Sequence, residues 1–247
     1  MANKRSKTLL TEGVFTRKYW AEAARELTDV KSLVFAALII ALRVAVKFFK
    51  VPLWGVNFTL DCYVNAMGSI VYGPVVGLLV GAASDTIGCI VAPSGAYFLP
   101  FILVEMFSSF IFGLFLWRRQ ITAPRVLLAK FIINMVGNVA MNSIFIKWQY
   151  YLLGDENFYT YNLINGTRIV KNLAMFPLEA VLIVLLLTAL LPAMRHLGVV
   201  PKEQEAVRMT KKDWILIVIL FVLSVALVAF YAFFLKDFIA AHNLKLF

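Results

Sequence analysis

The chain consists of long apolar runs separated by short segments rich in lysine and arginine. A helix needs about 20 mainly apolar residues to cross a bilayer. Of the 247 residues, 62% are hydrophobic, whereas about half is usual for a soluble domain. The sequence therefore predicts an all-α integral membrane protein. The expected spans are 32–49, 61–72, 75–91, 97–117, 126–152, 170–191 and 214–235.

The positive charges predict the orientation of these helices. Lysine and arginine are enriched in cytoplasmic segments of membrane proteins, and here they cluster at 1–31, 118–130 and 195–212. These clusters share one side of a seven-helix count, so we expect a cytoplasmic N-terminus and a C-terminus outside the cell. The net charge of +10 then reflects membrane topology, and we expect no nucleic-acid partner.

The chain is expected to divide into four parts. They are a basic cytoplasmic segment at 1–30, a six-helix bundle at 31–197, a cytoplasmic linker at 198–212, and an additional C-terminal transmembrane helix with its tail at 213–247. The first part can form an interfacial amphipathic helix. Its apolar face would contain Phe15, Tyr19, Trp20 and Leu27.

The segment 84–99 combines a carboxylate with a turn. Asp85 lies in an apolar run, where an ionisable side chain is costly and is usually functional and paired. The sequence that follows at 93–98, Pro-Ser-Gly-Ala-Tyr-Phe, contains three turn-forming residues and two aromatic residues. This composition fits a pocket for a flat organic ligand better than a plain connection.

The first helix carries alanines on one face and an arginine on another. Ala37, Ala41 and Ala45 recur every four residues, and small residues allow helices to approach closely in lipid. This alanine face packs either against a neighbouring helix of the chain or against another membrane protein. Arg43 either extends to the interface or contacts a ligand carboxylate.

The fifth and sixth predicted helices carry further polar side chains. Asn134, Asn138 and Asn142 recur every four residues, and their amides can either bind a heterocycle or form interhelical hydrogen bonds. Arg168 and Lys171 lie one turn apart at the start of the sixth helix. Cations at that position either attract an anionic solute or anchor the helix in the interface.

The sequence contains no nucleotide-binding or hydrolase motif. Its two cysteines and two histidines provide neither a disulfide framework nor a metal cluster, so we expect no catalytic residue and no metal site. An intramembrane enzyme that uses Asp85, Glu105 or Glu179 as acid or base is the alternative from a different class. A stand-alone transporter is a further alternative.

Four features together resemble the substrate-binding S components of energy-coupling factor (ECF) vitamin transporters, most closely the folate-specific branch. They are the alanine face, the Tyr72-Gly73-Pro74 turn, the 84–98 segment and the run 168–179. The resemblance covers about residues 30–197. It implies a six-helix bundle that binds a vitamin near the outer surface. It also implies that the alanine face docks on a transmembrane coupling protein driven by two cytosolic ATPases, so that ATP is used by the partners and no cofactor is held here.

The resemblance also implies which residues bind the vitamin. A pterin edge suits amide and carboxylate groups, its flat face suits an aromatic ring, and a glutamate tail suits arginine or lysine. The segments 59–62 and 99–101 depart from the family pattern, so riboflavin, pantothenate or a deazapurine stays open as the ligand. The expected binding residues are Arg43, Trp54, Asp85, Gly95, Tyr97, Asn138, Asn142, Arg168, Lys171 and Asn172.

Overall fold

The structure is a computed structural model that describes residues 8–9, 13–53, 56–93, 98–161, 163 and 166–205, with six further positions between 215 and 226. The described part is mainly helical, and a π-helical segment at Ile133–Met141 joins α5 to α6. The α-helices are α1 (Arg17–Arg25), α2 (Val30–Val46), α3 (Asp61–Val91), α4 (Ile102–Leu116), α5 (Ala123–Ile132), α6 (Asn142–Leu153), α7 (Asn157–Thr160) and α8 (Gly166–His196).

Four helical stretches of the described residues are long and apolar enough to cross a membrane. This finding supports a multi-pass membrane protein. The predicted seventh helix, 214–235, lies outside the described residues except for those six positions. The four stretches are Asp61–Val91, Leu99–Leu116, Ala123–Leu153 and Arg168–His196.

A β-hairpin connects α2 to α3. Strand β1 (Lys50–Leu53) pairs with the antiparallel strand β2 (Val56–Thr59), with Lys50 opposite Thr59 and Leu53 opposite Val56. The prediction of an all-α chain is therefore wrong at this connection. The segment is rich in valine, phenylalanine and threonine, which favour strands. The register leaves two residues between the strands, the commonest length for a hairpin connection.

Helix α3 is a helical hairpin with its turn at Gly73. Gly73 has a φ of 73°, a left-handed conformation that glycine adopts at low cost, and Pro74 cannot continue the hydrogen bonding of the first leg. Ser109 of α4 donates a hydrogen bond to Asn65 of the first leg at 2.8 Å and lies beside Gly77 of the second. Both legs therefore run along α4, and the predicted turn between two short helices is confirmed.

The second leg of α3 approaches α4 very closely. A Cβ atom added to Gly81 would lie 2.7 Å from the carbonyl oxygen of Glu105, and one added to Gly113 would lie 2.6 Å from Pro74. Without a hydrophobic drive between helices in lipid, such close backbone contact supplies packing energy. The main apolar core lies beside this contact, between α3, α4, α5 and α8.

The α1 helix packs against the opposite end of the bundle from the β-hairpin. The ring of Tyr19 meets that of Trp117 edge to face, and Arg118 forms an ion pair with Glu26 at 2.7 Å. Burial raises the pKa of the Tyr19 phenol to about 12. Of the residues expected on one apolar face, Tyr19 is buried in the protein whereas Phe15 is fully exposed.

The predicted linker also packs at this end, over its described residues 198–205. The side chain of Gln204 is buried and donates hydrogen bonds to the carbonyl oxygens of Leu116 and Arg119. Gln120 in turn donates to the carbonyl oxygen of Glu203 at 2.9 Å. The basic segments around 17–31, 118–125 and 195–202 are thus gathered at one end of the bundle.

Candidate functional site

Arg43 is fully buried and holds α2 against α3 and α4. Its Nε and Nη2 atoms donate to both carboxylate oxygens of Asp61, at 2.9 and 2.7 Å. Nη2 also lies 2.5 Å from Oε2 of Glu105, and Nη1 lies 3.4 Å from Oγ of Ser109. Because Asp61 begins α3 directly after the β-hairpin, the Arg43–Asp61 pair closes the base of that hairpin.

Asp85 finds its partner one helical turn further along α2. Nζ of Lys47 lies 3.3 Å from Oδ1 of Asp85 and 3.4 Å from the carbonyl oxygen of Ser84. Both ionisable side chains are largely buried. Asp85, predicted to require a partner, is therefore paired with α2, on the same side of the molecule as Arg43.

A second polar cluster lies between the α5–π segment and α8. Nζ of the buried Lys130 lies 3.0 Å from Oε2 of Glu179. The amide nitrogen of Asn134 donates to the same carboxylate at 3.3 Å, and that of Asn138 donates to Oδ1 of Asn134 at 3.2 Å. One ion pair and two amides thus form a continuous chain, which we call the amide ladder.

The start of α8 joins this ladder. The carbonyl oxygen of Asn172 accepts from Asn134 at 3.4 Å, and the side chain of Asn172 donates to the carbonyl oxygen of Arg168 at 2.9 Å. Lys171 lies beside them on α8 and is half-buried. Asn138, Asn172 and the carbonyl oxygen of Arg168 are therefore connected to the ladder, and Lys171 is the sequence neighbour of Asn172.

The remaining predicted binding residues lie elsewhere. Arg43 and Asp85 belong to the ion pairs of α2, and Asn142 is half-buried at the start of α6. Trp54, Gly95 and Tyr97 fall outside the described residues. The structure thus brings some of the predicted binding residues together at the amide ladder and places Arg43 and Asp85 in separate ion pairs.

The π-helical segment carries Asn134 and Asn138. Its hydrogen bonds run from residue i to i+5, and π turns of this kind occur frequently at functional sites. The sequence predicts one regular helix over 126–152, whereas the helix widens at Ile133–Met141. Gly137, inside the wide turns, has room for a Cβ atom, with its nearest side-chain neighbour at 3.5 Å.

In the predicted topology, Lys130 belongs to the positive charges of the cytoplasmic loop at 118–130, and that assignment is wrong. It lies inside α5, where it neutralises Glu179, which the sequence left without a partner. The spacing already contained the signal, because Lys130 is four residues before Asn134 and so begins the same polar stripe as the three asparagines. The signal is therefore a lysine that lies on the same helix face as the asparagines, within a mainly apolar helix.

The alanine face of α2 points away from the rest of the described molecule. Ala37, Ala41 and Ala45 are exposed, whereas Ile39 and Arg43 on the opposite face are fully buried. Of the two readings of this face, packing against a neighbouring helix of the chain has no support among the described residues.

The comparison with known families agrees with this arrangement of helices. Residues 27–195, more than half of the chain, match the family described as "ECF-type riboflavin transporter, S component". The chain belongs to this family of ECF S components. It is therefore a membrane transport subunit and not an enzyme, so both of these predictions are confirmed and the intramembrane-enzyme alternative is wrong.

Individual ECF S components are similar to this one over most of their length. The Folate transporter FolT of Clostridium novyi (strain NT) is 31% identical over 155 residues, which cover 62% of this chain and 86% of that protein. The Folate transporter FolT of Leuconostoc mesenteroides is 27% identical, over 61% of this chain and 81% of that protein.

A solved structure shares the fold. The crystal structure of FolT bound with folic acid superposes with a TM-score of 0.51 and 22% identity. The superposition covers 62% of this chain and 88% of that one. This likeness shows a shared fold over 62% of the chain.

Proposed function

We propose that this S component binds folate and delivers it across the membrane with ATP-driven partners. The supporting observation is the likeness to two folate transporters over more than four fifths of their length. The amide ladder fits this substrate, because a pterin offers adjacent hydrogen-bond donors and acceptors. Arg168 and Lys171 at the start of α8 provide cations for the two carboxylates of the glutamate tail.

The proposed folate site lies at the end of the bundle that contains the β-hairpin. Asn138, Asn142 and Asn172 would bind the pterin, while Trp54 and Tyr97 would cover its face and Gly95 would allow close backbone approach. Arg43 of α2 and Asp85 of α3 would border the site. In this proposal Arg43 acts mainly by holding Asp61 and Glu105, since its guanidinium is already bonded to both.

Calorimetric titration of the purified protein in detergent tests the proposed substrate. Folate should bind in the submicromolar range or tighter, and pantothenate should give no heat of binding. Riboflavin is the second candidate, because the matching family is described as a riboflavin transporter component. Binding of riboflavin in place of folate would keep the family and change the substrate, and binding of neither would contradict both proposals.

The proposed partners are a transmembrane coupling protein and two cytosolic ATPases. Support comes from the exposed alanine face, where small residues would let a partner helix approach closely. The S component itself would hold no cofactor and would use no ATP.

The proposed topology has six helices in the binding domain and one additional helix at the C-terminus. The N-terminus would be cytoplasmic, and the C-terminus would lie outside. Support comes from the basic segments, which lie together at the α1 end of the bundle through contacts such as Arg118 with Glu26 and Gln120 with Glu203. The proposed domains keep the bounds 1–30, 31–197, 198–212 and 213–247.

A further inference from the structure

We infer that the Lys130–Glu179 ion pair positions the amide ladder, so that Asn138 presents its carbonyl oxygen and not its amino group to the vitamin. Asn138 is taken to border the folate site, as in the proposed function, on which this inference rests. Lys130 and Glu179 would then determine ligand specificity without touching the ligand.

The first step is the charge on Glu179. Nζ of Lys130 lies 3.0 Å from its carboxylate, and the lysine side chain is almost completely buried. A buried ammonium is very costly without a negative partner, and the carboxylate of Glu179 is the partner that Lys130 contacts. An ionised carboxylate accepts hydrogen bonds and cannot donate them.

The second step fixes the orientation of Asn134. Its amide nitrogen faces two oxygens, Oε2 of Glu179 at 3.3 Å and the carbonyl oxygen of Asn172 at 3.4 Å. Both of these oxygens are acceptors only, so turning the amide round would set oxygen against oxygen. Oδ1 of Asn134 must therefore point the other way, towards Asn138.

The third step carries this orientation to the exposed end of the ladder. The amide nitrogen of Asn138 donates to Oδ1 of Asn134 at 3.2 Å, which turns Oδ1 of Asn138 away from its neighbour. Asn138 is half-buried, whereas Asn134 is fully buried. The ladder thus ends in a hydrogen-bond acceptor, which matches the adjacent N3–H and 2-amino donors of a pterin.

Aminopterin is a suitable probe of this polarity. It carries a 4-amino group in place of the 4-oxo group of folic acid, so its N3 atom becomes an acceptor, while its glutamate tail is unchanged. An acceptor opposite Oδ1 of Asn138 leaves a buried polar group unsatisfied. We expect the wild-type protein to bind folic acid about ten- to a hundredfold more tightly than aminopterin.

The decisive variant is Glu179→Gln. It keeps the shape of the side chain and removes the negative charge that fixes the orientation of the Asn134 amide. Oε2 of Glu179 contacts both Lys130 and Asn134, so the glutamine amino group can replace this oxygen opposite Asn134 only if Lys130 shifts to the glutamine oxygen. Only the longer contact of Asn134 with the carbonyl oxygen of Asn172, at 3.4 Å, then opposes reversal of the ladder. The Glu179→Gln variant should bind folic acid less than about threefold more tightly than aminopterin, or it should bind aminopterin more tightly. General damage would weaken both ligands equally and leave their ratio unchanged, because the two share the same tail.

Glu26→Gln is the matched control, since it makes the same change at a buried carboxylate that pairs with Arg118 at the α1 end of the bundle, away from the ladder. The ratio of its affinities for folic acid and aminopterin should stay at the wild-type value. If Glu179→Gln does not fold, the double variant Lys130→Gln with Glu179→Gln removes both charges and should show the same loss of preference.

Two results would overturn the inference. One is a wild-type protein that binds folic acid but does not distinguish it from aminopterin. The other is an unchanged ratio in the folded single or double variant. A wild-type protein that binds no folic acid would instead contradict the proposed function, and the inference would fall with it.

Discussion

At the residue scale, several charged side chains in and beside the described helices form pairs of opposite charge. Arg43 pairs with Asp61 and Glu105, and Lys47 pairs with Asp85. Charges at membrane depth are expensive unless they are neutralised locally. The pairs therefore explain how a strongly apolar bundle tolerates these residues.

Lys171 is the residue whose charge we expect to serve the substrate directly. Lys171→Ala should weaken folate binding by about ten- to a hundredfold, because it removes a charge-assisted hydrogen bond to the glutamate tail. A pterin analogue without carboxylates should lose much less affinity. Calorimetry with both ligands measures the difference.

The exposed Lys202, at the opposite end of the bundle, provides the control for this charge. Lys202→Ala removes the same positive charge from the protein and should leave both affinities unchanged. Equal weakening of the two ligands by Lys171→Ala would place Lys171 away from the tail.

At the scale of secondary-structure elements, the contact between α3 and α4 depends on glycine. Gly81→Ala would put a Cβ atom 2.7 Å from a backbone oxygen of α4, so the two helices must separate. We expect a loss of about 1–3 kcal/mol in stability, measured as a lower unfolding temperature in detergent. Gly137→Ala is the control, because its Cβ atom would meet only ordinary contacts, and its unfolding temperature should change little.

Some elements could be predicted from the sequence and others could not. The α3 turn was predictable because Gly73 and Pro74 act locally on the backbone. The β-hairpin was missed because 50–60 falls between two predicted membrane helices and its strands are only four residues long. The π-helical segment was missed because its residues have ordinary helical periodicity, and the widening depends on contacts made elsewhere in the fold.

The candidate site was predictable only in its residue types. The four-residue spacing identified the asparagines as one stripe, but it could not decide between a ligand and a neighbouring helix. The structure bonds Asn134 to α8 and leaves Asn138 half-buried, so the same stripe serves packing at one end and remains accessible at the other. Pairings such as Lys130 with Glu179 join residues far apart in sequence, which a single sequence does not reveal.

At the scale of the whole molecule, the proposed folate site and the proposed docking face lie on different surfaces. The variant with Ala37→Trp and Ala41→Trp should abolish uptake into cells, because bulky rings prevent a partner helix from approaching the alanine face. Folate binding by the purified variant should stay at the wild-type level, since both side chains point away from the bundle.

Leu128→Trp is the matched control for the docking variant, because it places the same ring at an exposed position on α5. It should spare uptake as well as binding. Survival of both uptake and binding in the alanine variant, or loss of binding alone, would contradict the docking assignment. Uptake without any ATPase would favour a stand-alone transporter.

The double pairing of Arg43 has a mechanical consequence. The guanidinium of Arg43 pairs with a carboxylate of α3 and with one of α4. Separation of α2 from these helices would leave unpaired ions in the hydrocarbon core of the membrane. Rotation of the bundle as a single rigid body would keep every one of these pairs intact. A load applied to the outward surface of α2 should therefore tilt the three helices together instead of sliding one past another.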